Sequence, residues 1–81
     1  MFLYTNCLIC KQGRLLVMDD TSRGRLYLHC EECEMGFLTP DDADLARGFL
    51  TLSETYEAIP ATWARIASES WSRFALHEVD G

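Results

Sequence analysis

Cys7-Leu8-Ile9-Cys10 and Cys30-Glu31-Glu32-Cys33 contain all four cysteines of the chain. Two residues between a pair of cysteines let one tight turn, a knuckle, aim both sulfurs at the same point. Two such pairs suit a four-thiolate zinc site. Nineteen residues, Lys11 to His29, separate the pairs. That is room for a two-stranded hairpin that brings the second knuckle beside the first. With Cys7, Cys10, Cys30 and Cys33 as ligands, a tetrahedral zinc has no position left for water. The expected ion is therefore structural and not a Lewis acid.

Two other uses of the same residues are open to the chain. Disulfides require an oxidising compartment, whereas Met1 to Asn6 has neither a basic start nor the apolar run of a secretory signal. No stretch is long and apolar enough to span a bilayer, so the cytoplasm is the expected location. A rubredoxin-like iron centre also uses paired knuckles, but no Gly or Pro flanks these cysteines. His29, directly before Cys30, reads as a strand residue because four thiolates already satisfy the metal. Asp19, Asp20, Asp41, Asp42 and Asp44 read as turn and helix-start residues and not as acid–base pairs. No Ser/His/Asp or Cys/His set and no glycine-rich phosphate loop can be assembled, so no enzymatic activity is expected.

The elements that must position the sulfurs follow from patterning. Arg14 to Met18 alternates as a strand, with Leu15 and Val17 on one face, and Arg25 to His29 as its return, with Leu26 and Leu28 together. Asp19 to Gly24 is a polar turn cluster. Phe2-Leu3-Tyr4 reads as an edge strand or a cover for the metal, and Phe37-Leu38 as a third strand. Gly13 and Gly36 each stand three positions after a knuckle's second cysteine, where a positive φ suits the exit. Thr39-Pro40-Asp41-Asp42 is a helix start; the helix is expected to reach about Phe49, with Leu45 and Phe49 inward. From Thr51 to Ile59 the pattern fits either a loop or a short turn capped by Ser53 that buries Tyr56 and Ile59. Trp63, Ile66, Ala67, Ser70, Trp71 and Phe74 follow a 3.6-residue period, predicting one amphipathic helix over 61–74. Ala75 to Val79 extends it or forms a tail.

The fold class predicted is α+β, a zinc ribbon with a hairpin or three-stranded sheet followed by two short C-terminal helices. It forms a single domain over 1–81, the ribbon in 1–38 and a helical cover in 39–81. At 81 residues a core alone is marginal and a structural metal is expected on physical grounds. A hydrophobic content of 48% argues for order.

The net charge of −6 is lopsided, because residues 34–81 hold nine acids against three arginines. Such a surface repels phosphate backbones and attracts basic partners. The function expected is a non-catalytic protein-binding module. The alternative is a nucleic-acid-binding regulator that uses Arg23, Arg25 and Tyr27 on the hairpin. A thiol-based redox switch is a third reading.

The order of parts resembles small stand-alone bacterial zinc-ribbon proteins, which pair a four-cysteine ribbon with a short helical tail. The resemblance lies in Cys30-Glu31-Glu32-Cys33, in Pro40-Asp41-Asp42, and in Ile59-Pro60-Ala61-Thr62 leading to Trp71-Ser72-Arg73-Phe74. Some proteins of that kind are regarded as immunity proteins that neutralise toxins. The resemblance therefore implies a protein partner, in its most concrete form a basic toxin.

Overall fold

The computed structural model describes residues 1–51 and 57–79. Strand β2 (Arg14–Asp20) is the axis of the fold, and β3 (Arg25–Cys30) returns antiparallel to it. Leu15 lies opposite Cys30, Val17 opposite Leu28 and Asp20 opposite Arg25. Asp19 and Asp20 therefore belong to the strand and not to the turn. The turn itself is closed by Gly24, at φ 67°, whose N–H donates to the Asp20 carbonyl at 2.8 Å.

Strand β1 (Phe2–Asn6) covers the first half of the other edge of β2, with Leu3 opposite Leu16. Strand β4 (Met35–Phe37) pairs with β3, and β5 (Phe49–Leu50) with β4. Strand β6 (Ala58–Pro60) takes the second half of that β2 edge, and β7 (His77–Glu78) lies outside β1. Among the described residues the sheet thus has seven strands in the order β5-β4-β3-β2-β1-β7, with β6 alongside β2. The α+β class stands, but the expected two or three strands become seven. The second half contributes three strands of its own in addition to two short helices. Phe2-Leu3-Tyr4 is no edge, since β7 flanks it. Ser53 and Tyr56 lie outside the described residues, while Ile59 belongs to β6 and is exposed.

Alternation puts Leu15, Val17, Leu26 and Leu28 on one face, where they form the core with Phe37, Ala43, Ala61, Ile66 and Trp71. Each large apolar side chain fully buried there contributes about 1.5–3 kcal/mol. Helix α1 (Pro40–Asp44) starts as predicted: the Thr39 hydroxyl accepts from the Asp42 N–H at 3.1 Å. It stops one turn later, well short of Phe49. Ala46 adopts a left-handed φ of 54°, its N–H donates to the Ala43 carbonyl at 3.1 Å, and the Arg47 N–H donates to Asp42 at 2.8 Å. This pair of bonds is a Schellman stop.

Leu45 consequently points outward, 60% exposed. Phe49 instead lays its ring on Gly36, where an added methyl would meet the ring at 2.5 Å. The Tyr4 hydroxyl donates to both Asp44 carboxylate oxygens, at 3.0 and 2.9 Å, and ties α1 to β1. Burial raises the Tyr4 pKa, and the Asp44 carboxylate adds to the rise. Because a left-handed alanine is disfavoured, Ala46→Gly is expected to stabilise the fold by about 0.5–1 kcal/mol. A thermal melt should show a rise of a few degrees, and a fall would contradict the stop just described.

The predicted helix over 61–74 is broken in two. Helix α2 (Trp63–Ser68) is capped by the Thr62 hydroxyl, which accepts from the Arg65 N–H at 3.3 Å. Ser70, left-handed at φ 61°, then turns the chain into a single 3₁₀ turn over Trp71–Arg73. The turn re-aims Trp71 into the core. The helical stripe therefore divides: Ile66 and Trp71 are buried, Phe74 is half-buried, and Trp63 is exposed.

Candidate metal centre

The two knuckles share one backbone design. In the first, the Lys11 N–H donates to the Cys7 carbonyl at 3.0 Å; in the second, the Glu34 N–H donates to Cys30 at 3.1 Å. Lys11 and Glu34 take left-handed φ values of 60° and 59°. The residue directly after each second cysteine thus makes the exit, and not the glycine three positions on.

Gly13 has another reason to be glycine. A methyl there would lie 2.5 Å from the Cys30 sulfur and 2.9 Å from Glu32 Cβ. Gly13→Ala is expected to push the second knuckle outward and cost about 1–3 kcal/mol. It should also weaken metal retention against a chromogenic chelator; retention equal to the unaltered chain would show that the spacing is not tight.

The four sulfurs, Cys7, Cys10, Cys30 and Cys33, all lie within 4.8 Å of one another. Two of the contacts run between knuckles: Cys10 to Cys30 at 3.6 Å and Cys7 to Cys33 at 3.8 Å. A tetrahedron with zinc–sulfur arms of about 2.3 Å has an edge of about 3.8 Å, so the cluster has the size of one ion. The cysteines are all free, and Cys7 and Cys30 are buried. Backbone N–H groups aim at the sulfurs: Ile9 at Cys7 (3.4 Å), Gly13 at Cys10 (3.5 Å), Cys33 at Cys30 (3.5 Å) and Met35 at Cys33. Such donors spread thiolate charge and orient the ligands.

The thiols differ in how readily they ionise. The Gln12 and Gly13 N–H groups bring Cys10 down to about 6, while Cys33 is pushed up to about 12 by burial and then by its neighbouring sulfurs. Burial also raises Cys30. Crowded sulfurs resist joint ionisation, and a cation placed among them removes that resistance. The donor set and its spacing therefore fit a thiophilic metal ion.

Sequence reasoning missed one support. The Arg14 guanidinium grips the Glu31 carboxylate with Nε to Oε2 at 2.8 Å and a second bond at 3.2 Å, joining the exit of the first knuckle to the body of the second. The two residues look unrelated until the hairpin register is known.

The other residues singled out from sequence go elsewhere. His29 lies opposite Leu16, on the sheet face away from Cys30; burial lowers its pKa, and its Nδ1 has no hydrogen-bond partner among the described residues. Asp41 and Asp42 occupy the helix start. Arg23 pairs with Asp20 at 3.2 Å, Arg25 Nε lies 3.8 Å from the same carboxylate, and Tyr27 is buried. The hairpin cations are thus drawn toward Asp20, and the aromatic ring is withdrawn from the surface.

No protein-family model, curated protein or solved structure matches the chain. Among the described residues no helix is long and apolar enough to cross a membrane.

Proposed function

We propose that the chain is a non-catalytic zinc-binding protein whose ion, held by Cys7, Cys10, Cys30 and Cys33, is structural and supports a surface for recognising another protein. The observation that carries this reading is the convergence of four protein sulfurs within 4.8 Å, enough to fill a tetrahedral shell. When bound, the ion would supply a cross-link and neutralise part of the thiolate charge; no coordination position is left for a substrate. A four-thiolate zinc carries about two net negative charges, which adds to an already acidic chain. Neutralisation of a basic toxin is the most concrete version. An acidic inhibitor associates quickly with a basic target and loses on-rate with salt.

Elemental analysis of protein purified under reducing conditions should find one zinc per chain. Its absence would overturn the metal assignment. Recovery of nucleic acid alone, with no protein partner, in affinity capture would overturn the recognition reading. The nucleic-acid alternative would draw on Arg23 and Arg25, and both already lean on Asp20.

A further inference from the structure

Trp63 departs from the position that its sequence pattern assigns. Helical periodicity assigns it to the core beside Ile66, yet it is 51% exposed while Ile66 is fully buried. Its ring leans on Phe2, with centroids 5.5 Å apart and planes tilted by 38°. The other tryptophan, Trp71, is buried, so only Trp63 presents a large indole face outward. Glu78 stands opposite Phe2 in the β1–β7 register and therefore projects from the same side of the sheet.

Two arginines of the same segment are occupied elsewhere. Arg65, two residues on, reaches Asp19 at 3.2 Å and Glu69 at 2.8 Å. Arg73 lies over the Phe74 ring, 4.7 Å from its centre. An exposed indole stacked on Phe2, which itself stands opposite Glu78, on a chain of net charge −6, suits a guanidinium or ammonium group that stacks on the ring.

We infer that Trp63, backed by Phe2 with Glu78 opposite it in the neighbouring strand, is the anchor of a docking surface for an arginine- or lysine-bearing segment of a protein partner. This deepens the protein-recognition reading and rests on it. Tryptophan is the best cation–π platform among side chains and is favoured at the energetic centres of interfaces.

The probe is an octa-arginine peptide, with octa-glutamate as control, titrated into the zinc-loaded full chain at low salt and followed by backbone and indole NMR shifts. The expected result is saturable shifts centred on the Trp63 indole, Phe2 and Glu78, with weaker binding by Trp63→Ala of about fivefold or more. Trp63→Phe should recover part of the loss, and Glu78→Gln should lower affinity chiefly at low salt. Shifts spread evenly over the acidic surface, or equal binding by Trp63→Ala, would overturn the assignment. Zinc content and melting temperature of each variant show that the fold is intact. If no natural protein partner is found, the recognition reading fails, while the peptide result still decides whether this surface takes cations.

Discussion

Cys30→Ser is expected to abolish metal binding and with it the cooperative fold of the first half of the chain. Cys30 is fully buried, stands opposite Leu15 in the sheet, and has the Cys10 sulfur 3.6 Å away. Serine is a poor ligand for a thiophilic ion, and its hydroxyl would be left in a place built for sulfur. In small metallo-domains the binding energy is folding energy, on the order of 10 kcal/mol at neutral pH. A strong chelator should do the same to the unaltered chain. Circular dichroism during chelation is the measurement. A sheet signal that survives both chelation and Cys30→Ser would mean that the apolar core suffices without the ion.

The second large effect is expected at Asp20. Its carboxylate is fully buried at the base of the β2–β3 turn. It accepts from the Ser22 hydroxyl at 2.6 Å, from the Ser22 and Arg23 N–H groups at 3.2 Å, and from the Arg23 guanidinium at 3.2 Å. Burial works to raise its pKa, but the Ser22 and Arg23 donors outweigh burial and hold it below the ordinary carboxylate value. Asp20→Ala removes the acceptor of all four bonds and the partner of two partly exposed arginines, a loss of about 2–4 kcal/mol.

The sign with pH follows from the lowered pKa. The unfolded chain takes up the proton first, so Asp20 contributes its full stabilisation above the ordinary carboxylate value of about 4. That contribution falls as pH drops through the folded-state pKa. In urea titrations the gap between the unaltered chain and Asp20→Asn should be constant from pH 7 to about 5 and narrow below about 4. A gap that widened on acidification would mean that the carboxyl is protonated in the fold.

How much of this was legible in the residues depends on how many residues carried each signal. The knuckles were readable because cysteine spacing is a covalent constraint that packing cannot shift. The β2–β3 hairpin was readable because five residues in each strand, Arg14 to Met18 and Arg25 to His29, alternate around a polar turn cluster, although Asp19 and Asp20 proved to continue the first strand. The Thr39 cap was also readable, since capping is a local hydrogen bond. Strands β5, β6 and β7 were not, because two or three residues hold no measurable alternation and form only where a neighbouring edge needs hydrogen bonds.

Helix lengths were overestimated for a related reason. Periodicity continues through Leu45 and Trp63, whereas the chain turns left-handed at Ala46 and Ser70, and neither residue type announces such a turn. For the metal centre, the ligands were in plain view. The demand for Gly13 and the Arg14–Glu31 clasp were not, because both depend on how the hairpin folds back.

The order of the ligands along the chain has a consequence for biosynthesis. Cys7, Cys10, Cys30 and Cys33 precede residue 34, whereas β5, β6, α2 and β7 all come later. As the polypeptide leaves the ribosome, the complete donor set emerges before the segments that form β5, β6, α2 and β7. Ion capture can therefore precede sheet completion, leaving a cross-linked hairpin as the template on which later segments add themselves at free margins.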